Sequence, residues 1–340
     1  MPTKDVDCGM KVAADKNQLT SLDKSSRIGV VLSSGGGRGV YAHTGFLLAL
    51  ERLGIQIAAI AGCSAGALVG GVAASGADLH RWAEAIAHVR TQEYWTPDSW
   101  LRFFWQFAIR KGRGYTGLSG TDAAVEFCRR NLAVQTFEEC SIPFYAMAMN
   151  LGRRNKVLFA EGDLAPRIMA SAAMPVLYRP VEIDGELYTD GAVIELAPTE
   201  ALCCRHRLDA LIIHHTAVYR EGPTGLAHAL MQPWSLVEIL NLLLYRQRPW
   251  YLADKPLNFA RCPAGCGAPI IVLEPDLPDL TWPLAEGGVQ VQRAAMEQTE
   301  ILLRPYLEVL RTNPGQLLAQ VAEVTGKPAA GQQAFCEHTP

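Results

Sequence analysis

The sequence predicts an α/β fold, a three-layer α/β/α sandwich, and three observations predict it. Strand-like and helix-like patterns alternate from residue 27 to 75 and again from 142 to 215, the order that lays helices onto a sheet. Two of the strand-like runs end in glycine-rich turns, at residues 35–39 and 62–66, that feed directly into helical patterns. Hydrophobic residues make up 49% of the 340 with no low-complexity linker or internal repeat, so one continuous core is expected.

In chain order, residues 1–26 are polar and lysine-bearing without an apolar core. They read as a flexible lead-in, not a secretory signal, and a cytoplasmic protein is expected. Ile28-Gly29-Val30-Val31-Leu32 is a strand that runs through Ser33-Ser34 into Gly35-Gly36-Gly37-Arg38-Gly39, with a helix from Val40 to Leu53. Ile55 to Ala61 is a second strand and Ala67 to Ala74 a second helix, with Gly62-Cys63-Ser64-Ala65-Gly66 between them. The whole stretch from Ile55 to Ala77 is long and weakly polar, yet its glycines and its strand-turn-helix pattern point to buried core and not to a membrane span. Leu187-Tyr188-Thr189-Asp190-Gly191-Ala192 follows the apolar stretch from Met169 to Val181, and Leu208 to Ile213 is a late core strand.

Ser64 stands at the apex of a sharp strand-to-helix turn, the arrangement of a nucleophile elbow. Small residues two before and two after it, Gly62 and Gly66, let the turn close, and the following helix aims free N–H groups and its positive dipole end at the reacting centre. Upstream, the glycines of the first turn expose backbone N–H groups, so the amides of Gly36, Gly37 and Arg38 are candidates for an oxyanion hole. A dinucleotide loop is the rival reading. Its frame, with Gly36 and Gly39 as the last two glycines, puts Ser34 where the first glycine must be, and no Lys-Ser/Thr pair follows as a P-loop requires. The Arg38 guanidinium is a candidate for holding a phospholipid head group. A serine hydroxyl needs a base, and a carboxylate in a poorly solvated pocket gains basicity, which makes Asp190 the candidate. Its plain alternative is an Asp-Gly turn between strands.

Together these segments resemble the patatin-like phospholipase family, in which a glycine-rich oxyanion loop, a Gly-x-Ser-x-Gly serine and an Asp-Gly-Gly/Ala aspartate form a Ser–Asp dyad. The resemblance covers roughly residues 26 to 205, and His43-Thr44-Gly45-Phe46-Leu47 matches the family's His-x-Gly-Val-Leu-like run. It implies a patatin-like sandwich with Ser64 as nucleophile, Asp190 as base and the amides around Gly36 to Arg38 as oxyanion hole. It also implies a fatty acyl ester of a phospholipid or lysophospholipid as substrate, and no cofactor. Two departures stand out. The glycine loop can be laid on the family's Gly-Gly-Gly-x-Arg-Gly in two registers, and Leu196 stands before Pro198 where the family often has Asn. The catalytic core is expected over residues 27–215, with a helical completion of the same domain over 216–312 and a tail over 313–340.

Other classes are weighed on composition and spacing. The formal net charge of −3, without long runs of like charge, argues against nucleic acid as a partner. Cys203-Cys204, Cys262-x-x-x-Cys266 and His214-His215 match no standard zinc spacing, so no metal is expected, and Cys63 reads as a packing residue. His206, His214, His215 and His228 are available for a Ser-His-Asp triad, but none sits in a triad motif. Aromatic residues cluster from Trp95 to Phe107, and from Trp234 to Trp250 with Arg246 and Arg248 among them. If either segment is exposed, peripheral contact with a lipid surface is expected. An acyltransferase with the same dyad and a catalytically silent lipid-binding protein are the alternative functions.

Overall fold

Five apolar residues in a row bury both faces of a strand, and β1 (Ile28–Leu32) is buried along its whole length. The computed structural model describes residues 26–202, 205–216, 248–263, 266–280 and 284–325, with isolated helical positions at 227, 230, 231, 235 and 239. The expected lead-in up to residue 25, Cys203, Cys204, His228, Trp234 and the tail beyond 325 lie outside the described residues.

β1 sits between β2 (Ile57–Cys63) and β9 (Ala210–His214), parallel to both. β11 (Pro269–Leu273) continues the parallel set beyond β9, and β4 (Phe144–Asn150) continues it beyond β2. Antiparallel strands finish the sheet. β10 (Leu257–Arg261) pairs with β11, while β5 (Asn155–Phe159) and β8 (Glu186–Asp190) pair with β4, and β7 (Val181–Ile183) pairs with β8. The period-2 alternation sorts side chains to the two faces. Ile28, Val30, Leu32, Ile60, Ile212 and Ile271 join one apolar layer, whereas Val31, Ala59, Ala61, Leu211, Ile213 and Ile270 join the other.

Helices α1 (Gly36–Arg52), α2 (Ala65–Ala74), α3 (Leu79–Ala87), α5 (Asp122–Asn131), α6 (Leu164–Ala172) and α7 (Leu284–Leu303) pack on the first layer or against one another. Between α3 and α5 lie α4 (Trp100–Ala108) and β3 (Gly117–Ser119), the latter paired in parallel with β6 (Val176–Tyr178) in a separate two-stranded sheet. Ala197, Ala201, Leu202, Leu208, Tyr251 and Cys262 pack into the second layer. Two short helices, α8 (Leu307–Thr312) and α9 (Leu317–Thr325), close the described chain.

Two differences from the sequence reading have physical causes. α1 begins at Gly36, four residues before the expected Val40, because the glycine turn is the helix's own first turn. The segment from 216 to 312, expected as a helical completion, also brings two strands. Pro269-Ile270-Ile271-Val272-Leu273 is a short apolar run whose pattern cannot by itself tell a buried strand from a helix. The stretch from Ile55 to Ala77 forms β2 and α2, and no helix among the described residues is long and apolar enough to cross a membrane.

Candidate active site

Ser64 has φ +54°, a left-handed conformation that a non-glycine residue adopts only when its surroundings impose it. Here tight packing imposes it. A Cβ on Gly62 would lie 2.3 Å from the Gly66 carbonyl oxygen, and one on Gly66 would lie 2.2 Å from the Leu32 carbonyl oxygen. Neither position admits a side chain, so the elbow closes directly under β1. The Ser64 carbonyl accepts from the amides of Ala67 and Leu68 at 3.0 and 3.1 Å and thereby starts α2. Its own amide donates to Ser171 Oγ at 3.0 Å, and that hydroxyl donates in turn to the Met147 carbonyl. Ser171, on α6, thus ties the elbow to β4.

Strand register brings Asp190 to the elbow. Cys63 pairs with Met147 across β2 and β4, and the next residue of β4, Ala148, pairs with Asp190 across β4 and β8. Ser64 Oγ donates to Asp190 Oδ2 at 2.7 Å, and Oδ1 accepts from the Ala192 amide at 2.9 Å. The tight-turn reading of Asp190-Gly191 holds locally, since a 3-10 turn follows and the carboxylate caps it. A Cβ on Gly191 would lie 2.4 Å from the Met147 carbonyl oxygen, so glycine is required for β8 to end this close to β4. Burial pushes the Asp190 carboxyl up to about 6, against the pull of the Ala192 and Ser64 hydrogen bonds. Cys63 Sγ lies 3.9 Å from Oδ1, and burial beside this carboxylate drives the thiol well above its ordinary value. The Cys63 thiol is thereby kept protonated.

The glycine turn approaches from the other side. Gly35 and Thr216 touch so closely that a Cβ on Gly35 would lie 2.2 Å from Thr216 Oγ1, and Gly36 has φ +56° with open space where a Cβ would be. The first amides of a helix have no intrahelical acceptor. Gly36 and Gly37 line the same cavity as Ser64. Arg38 does not line it. Its guanidinium donates to the carbonyls of Thr216 at 3.0 Å and Leu277 at 3.5 Å, which turns the candidate head-group ligand toward backbone oxygens.

Below the turn lies a polar support that sequence reasoning missed. Thr216 N donates to Ser33 Oγ at 2.9 Å, and the Ser33 hydroxyl donates to the Ser34 carbonyl. His43 Nε2 lies 2.8 Å from the Ser33 carbonyl oxygen, and His43 Nδ1 lies 2.8 Å from His214 Nδ1. A carbonyl only accepts, so His43 carries its proton on Nε2 and His214 donates from Nδ1. That leaves His214 Nε2 as a buried acceptor without a hydrogen-bond partner. Burial lowers His43 to about 3 and His214 well below its ordinary value, so both rings stay neutral. The remaining described histidines of the triad reading sit elsewhere, His206 against the Tyr145 hydroxyl and His215 against the Tyr251 hydroxyl. No group of three His, Cys, Asp or Glu able to hold a metal gathers among the described residues.

The cavity in front of Ser64 has a volume of about 390 Å³, and apart from the elbow and glycine-turn backbone its walls are mostly apolar. Val40 and Tyr41 of α1, Leu68 of α2, Ile168 and Met169 of α6, and Leu177 contribute to them. The sequence does not announce these residues, because they come from segments far apart in the chain.

A mixed sheet, parallel across β11, β9, β1, β2 and β4, with a serine elbow and a glycine turn at the carboxyl ends of two of these strands defines a class of α/β protein whose ligands bind at that edge. The chain belongs to the patatin-like phospholipase family, whose model matches residues 30–202. An uncharacterized NTE family protein of Mycobacterium tuberculosis is 33% identical over 176 residues, 51% of this chain and 45% of that protein. Lysophospholipase NTE1 of Cryptococcus neoformans is 29% identical over 218 residues, 63% of this chain and 13% of that protein. The chain therefore spans less than half the length of these relatives. Among solved structures, human GIVD cytosolic phospholipase A2 with a methyl gamma-linolenyl fluorophosphonate inhibitor aligns at a TM-score of 0.51 and 12% identity, over 85% of this chain and 60% of that one. At that identity the likeness is one of fold.

Proposed function

We propose that the protein is a serine acyl hydrolase that cleaves fatty acyl esters of phospholipids or lysophospholipids through an acyl-enzyme on Ser64. The carrying observation is the 2.7 Å hydrogen bond from Ser64 Oγ to the buried Asp190 carboxylate at the wall of an apolar cavity. A relative named as a lysophospholipase supports the substrate class.

In this reading Asp190 accepts the Ser64 proton as Oγ attacks the ester carbonyl carbon, and the carbonyl π electrons move to oxygen. The amides at the start of α1, at Gly36 and Gly37, which line the cavity, receive that oxyanion, aided by the helix's positive end. Collapse expels the alcohol, which takes the proton from Asp190. Water then attacks the acyl carbon with Asp190 again as base, the bond to Ser64 Oγ breaks as Oγ takes the proton back from Asp190, and the fatty acid leaves. The acyl chain lies meanwhile between α1, α2 and α6. His43 and His214 touch no reacting atom and act by holding the glycine turn.

A fluorophosphonate probe should label the wild type at Ser64, and Ser64→Ala should abolish both labelling and ester turnover with an unchanged melting temperature. Labelling elsewhere, or turnover surviving in the variant, removes the nucleophile assignment. A panel of acyl esters assayed with and without acceptor alcohols separates the remaining classes. Free fatty acid as product supports the hydrolase, transfer to the alcohol marks an acyltransferase, and binding without turnover marks a silent lipid-binding protein.

A further inference from the structure

Charge in this chain is segregated. Residues 99–121 carry Arg102, Arg110, Lys111 and Arg113 and no Asp or Glu, in a protein of net charge −3. α4 lies inside this stretch, with its N-terminus capped by Ser99 Oγ. Trp100, Leu101, Phe104, Trp105 and, one residue past the helix, Ile109 share one face by spacing, and their exposure runs from 51% at Trp105 to 80% at Leu101. Gln106, on the opposite side, is buried. Arg110 sits over the Trp105 ring at 5.8 Å, and Arg110, Lys111 and Arg113 are exposed.

Both flanks of α4 are fastened to the cavity wall. Trp95 lines the cavity and donates from Nε1 to the Leu177 carbonyl at 3.4 Å. On the far flank β3 pairs with β6, whose Leu177 and Tyr178 also line the cavity, and the Asp98 amide donates to the Leu118 carbonyl. The apolar helix is thus mounted on the segment that walls the candidate acyl site.

We infer that α4 is an interfacial anchor for an anionic lipid bilayer. It lies in the bilayer plane with Trp100, Leu101, Phe104, Trp105 and Ile109 at the boundary of head groups and acyl chains, and with Arg110, Lys111 and Arg113 against lipid phosphates. Exposed aromatic and aliphatic side chains bordered by arginine and lysine suit that boundary, where apolar bodies bury and charged tips stay wet. The patch suits a second protein less well. A nine-residue helix is about 14 Å long and about 10 Å wide, so its face covers on the order of 140 Å², well short of the roughly 800 Å² per partner that a stable protein interface takes. The inference rests on the hydrolase reading for its purpose, which is to deliver an acyl chain to Ser64, but its test does not depend on turnover.

The test is sedimentation of the Ser64→Ala protein with phosphatidylcholine vesicles, with and without phosphatidylglycerol. Strong binding is expected only when phosphatidylglycerol is present, and added salt should weaken it. Leu101→Asp, placed at the most exposed position, and the triple change Arg110→Gln, Lys111→Gln, Arg113→Gln should each lower partitioning at least tenfold with unchanged melting temperature. In proteins that retain Ser64, the same changes should spare hydrolysis of a short soluble ester. Absence of vesicle binding, binding indifferent to both sets of changes, or a dimer in gel filtration that Leu101→Asp dissociates would each overturn the anchor. Failure of the soluble ester assay in every variant and in the wild type would instead overturn the hydrolase reading and leave the vesicle result standing.

Discussion

At the scale of single residues, Asp190 carries the sharpest expectations. Its carboxyl is raised from the usual 3.8 to about 6 by burial, so a base at this position is lost by protonation below about pH 6. The value of kcat/KM should fall about tenfold per pH unit on that side and level off above it. Asp190→Asn keeps the size and removes the basicity, and turnover should drop by roughly 10²–10⁴-fold. Stability should move the other way. A carboxylate whose folded pKa lies above its unfolded value favours the folded state when protonated, and that contribution is lost as pH rises from 3.8 through about 6. The charged form therefore costs stability at neutral pH, on the order of 3 kcal/mol at 1.36 kcal/mol per unit. Asp190→Asn should raise the melting temperature at pH 8 and leave it unchanged at pH 3; an equal shift at both pH values would detach the effect from the charge. Ser64 and Asp190 were legible in the sequence because tight turns restrict which residues flank them. Ser171 and the His43–His214 pair were not, since their bonds span 107 and 171 residues and leave no local spacing to read.

Among the elements, the elbow is the least tolerant. Adding one methyl group at Gly66 would put a carbon 2.2 Å from the Leu32 carbonyl oxygen, which belongs to backbone that the sheet holds in place. Gly66→Ala should therefore separate α2 from β1, displace Ser64 and remove fluorophosphonate labelling, with a melting temperature lowered by several degrees. Wild-type labelling in that variant would show that the elbow can relax without losing its geometry. The glycine turn is held more softly. His43→Ala would strip a donor from the Ser33 carbonyl and the partner from His214 Nδ1, and an unsatisfied buried polar group costs about 1–3 kcal/mol. The start of α1 and the strand identity of β11 escaped sequence reading for related reasons. Glycine is a poor helix former except at an end, and a five-residue apolar run carries no period of its own. The aromatic run ending at Phe107 was read without its surroundings, and only the structure shows that Trp100, Leu101, Phe104 and Trp105 of α4 stay exposed. In the other aromatic segment Trp250 is part exposed and edge-on to Tyr251, and Trp234 lies outside the described residues.

For the whole molecule, the family match and the folding unit do not coincide. The match ends at residue 202, before β9, β10 and β11, yet β9 pairs along the full length of β1 and is buried throughout. β9 also supplies His214, which holds His43 beneath the glycine turn, and α7 packs against α1 from the far end of the chain. Cutting the chain after residue 202 would expose the edge of β1, a five-residue apolar strand with unpaired backbone groups, which is a template for aggregation. It would also uncover the layer that Leu211, Ile213, Ile270 and Val272 help to form. A chain ending at residue 202 should therefore collect in the insoluble fraction, or show no cooperative melt if kept in solution. A chain ending at residue 325 retains every described element and should melt like the full protein, with Ser64 labelled at the same rate. A soluble, probe-reactive fragment ending at 202 would mean that β1, β2 and β4 hold the elbow and the glycine turn in place without the strands that follow.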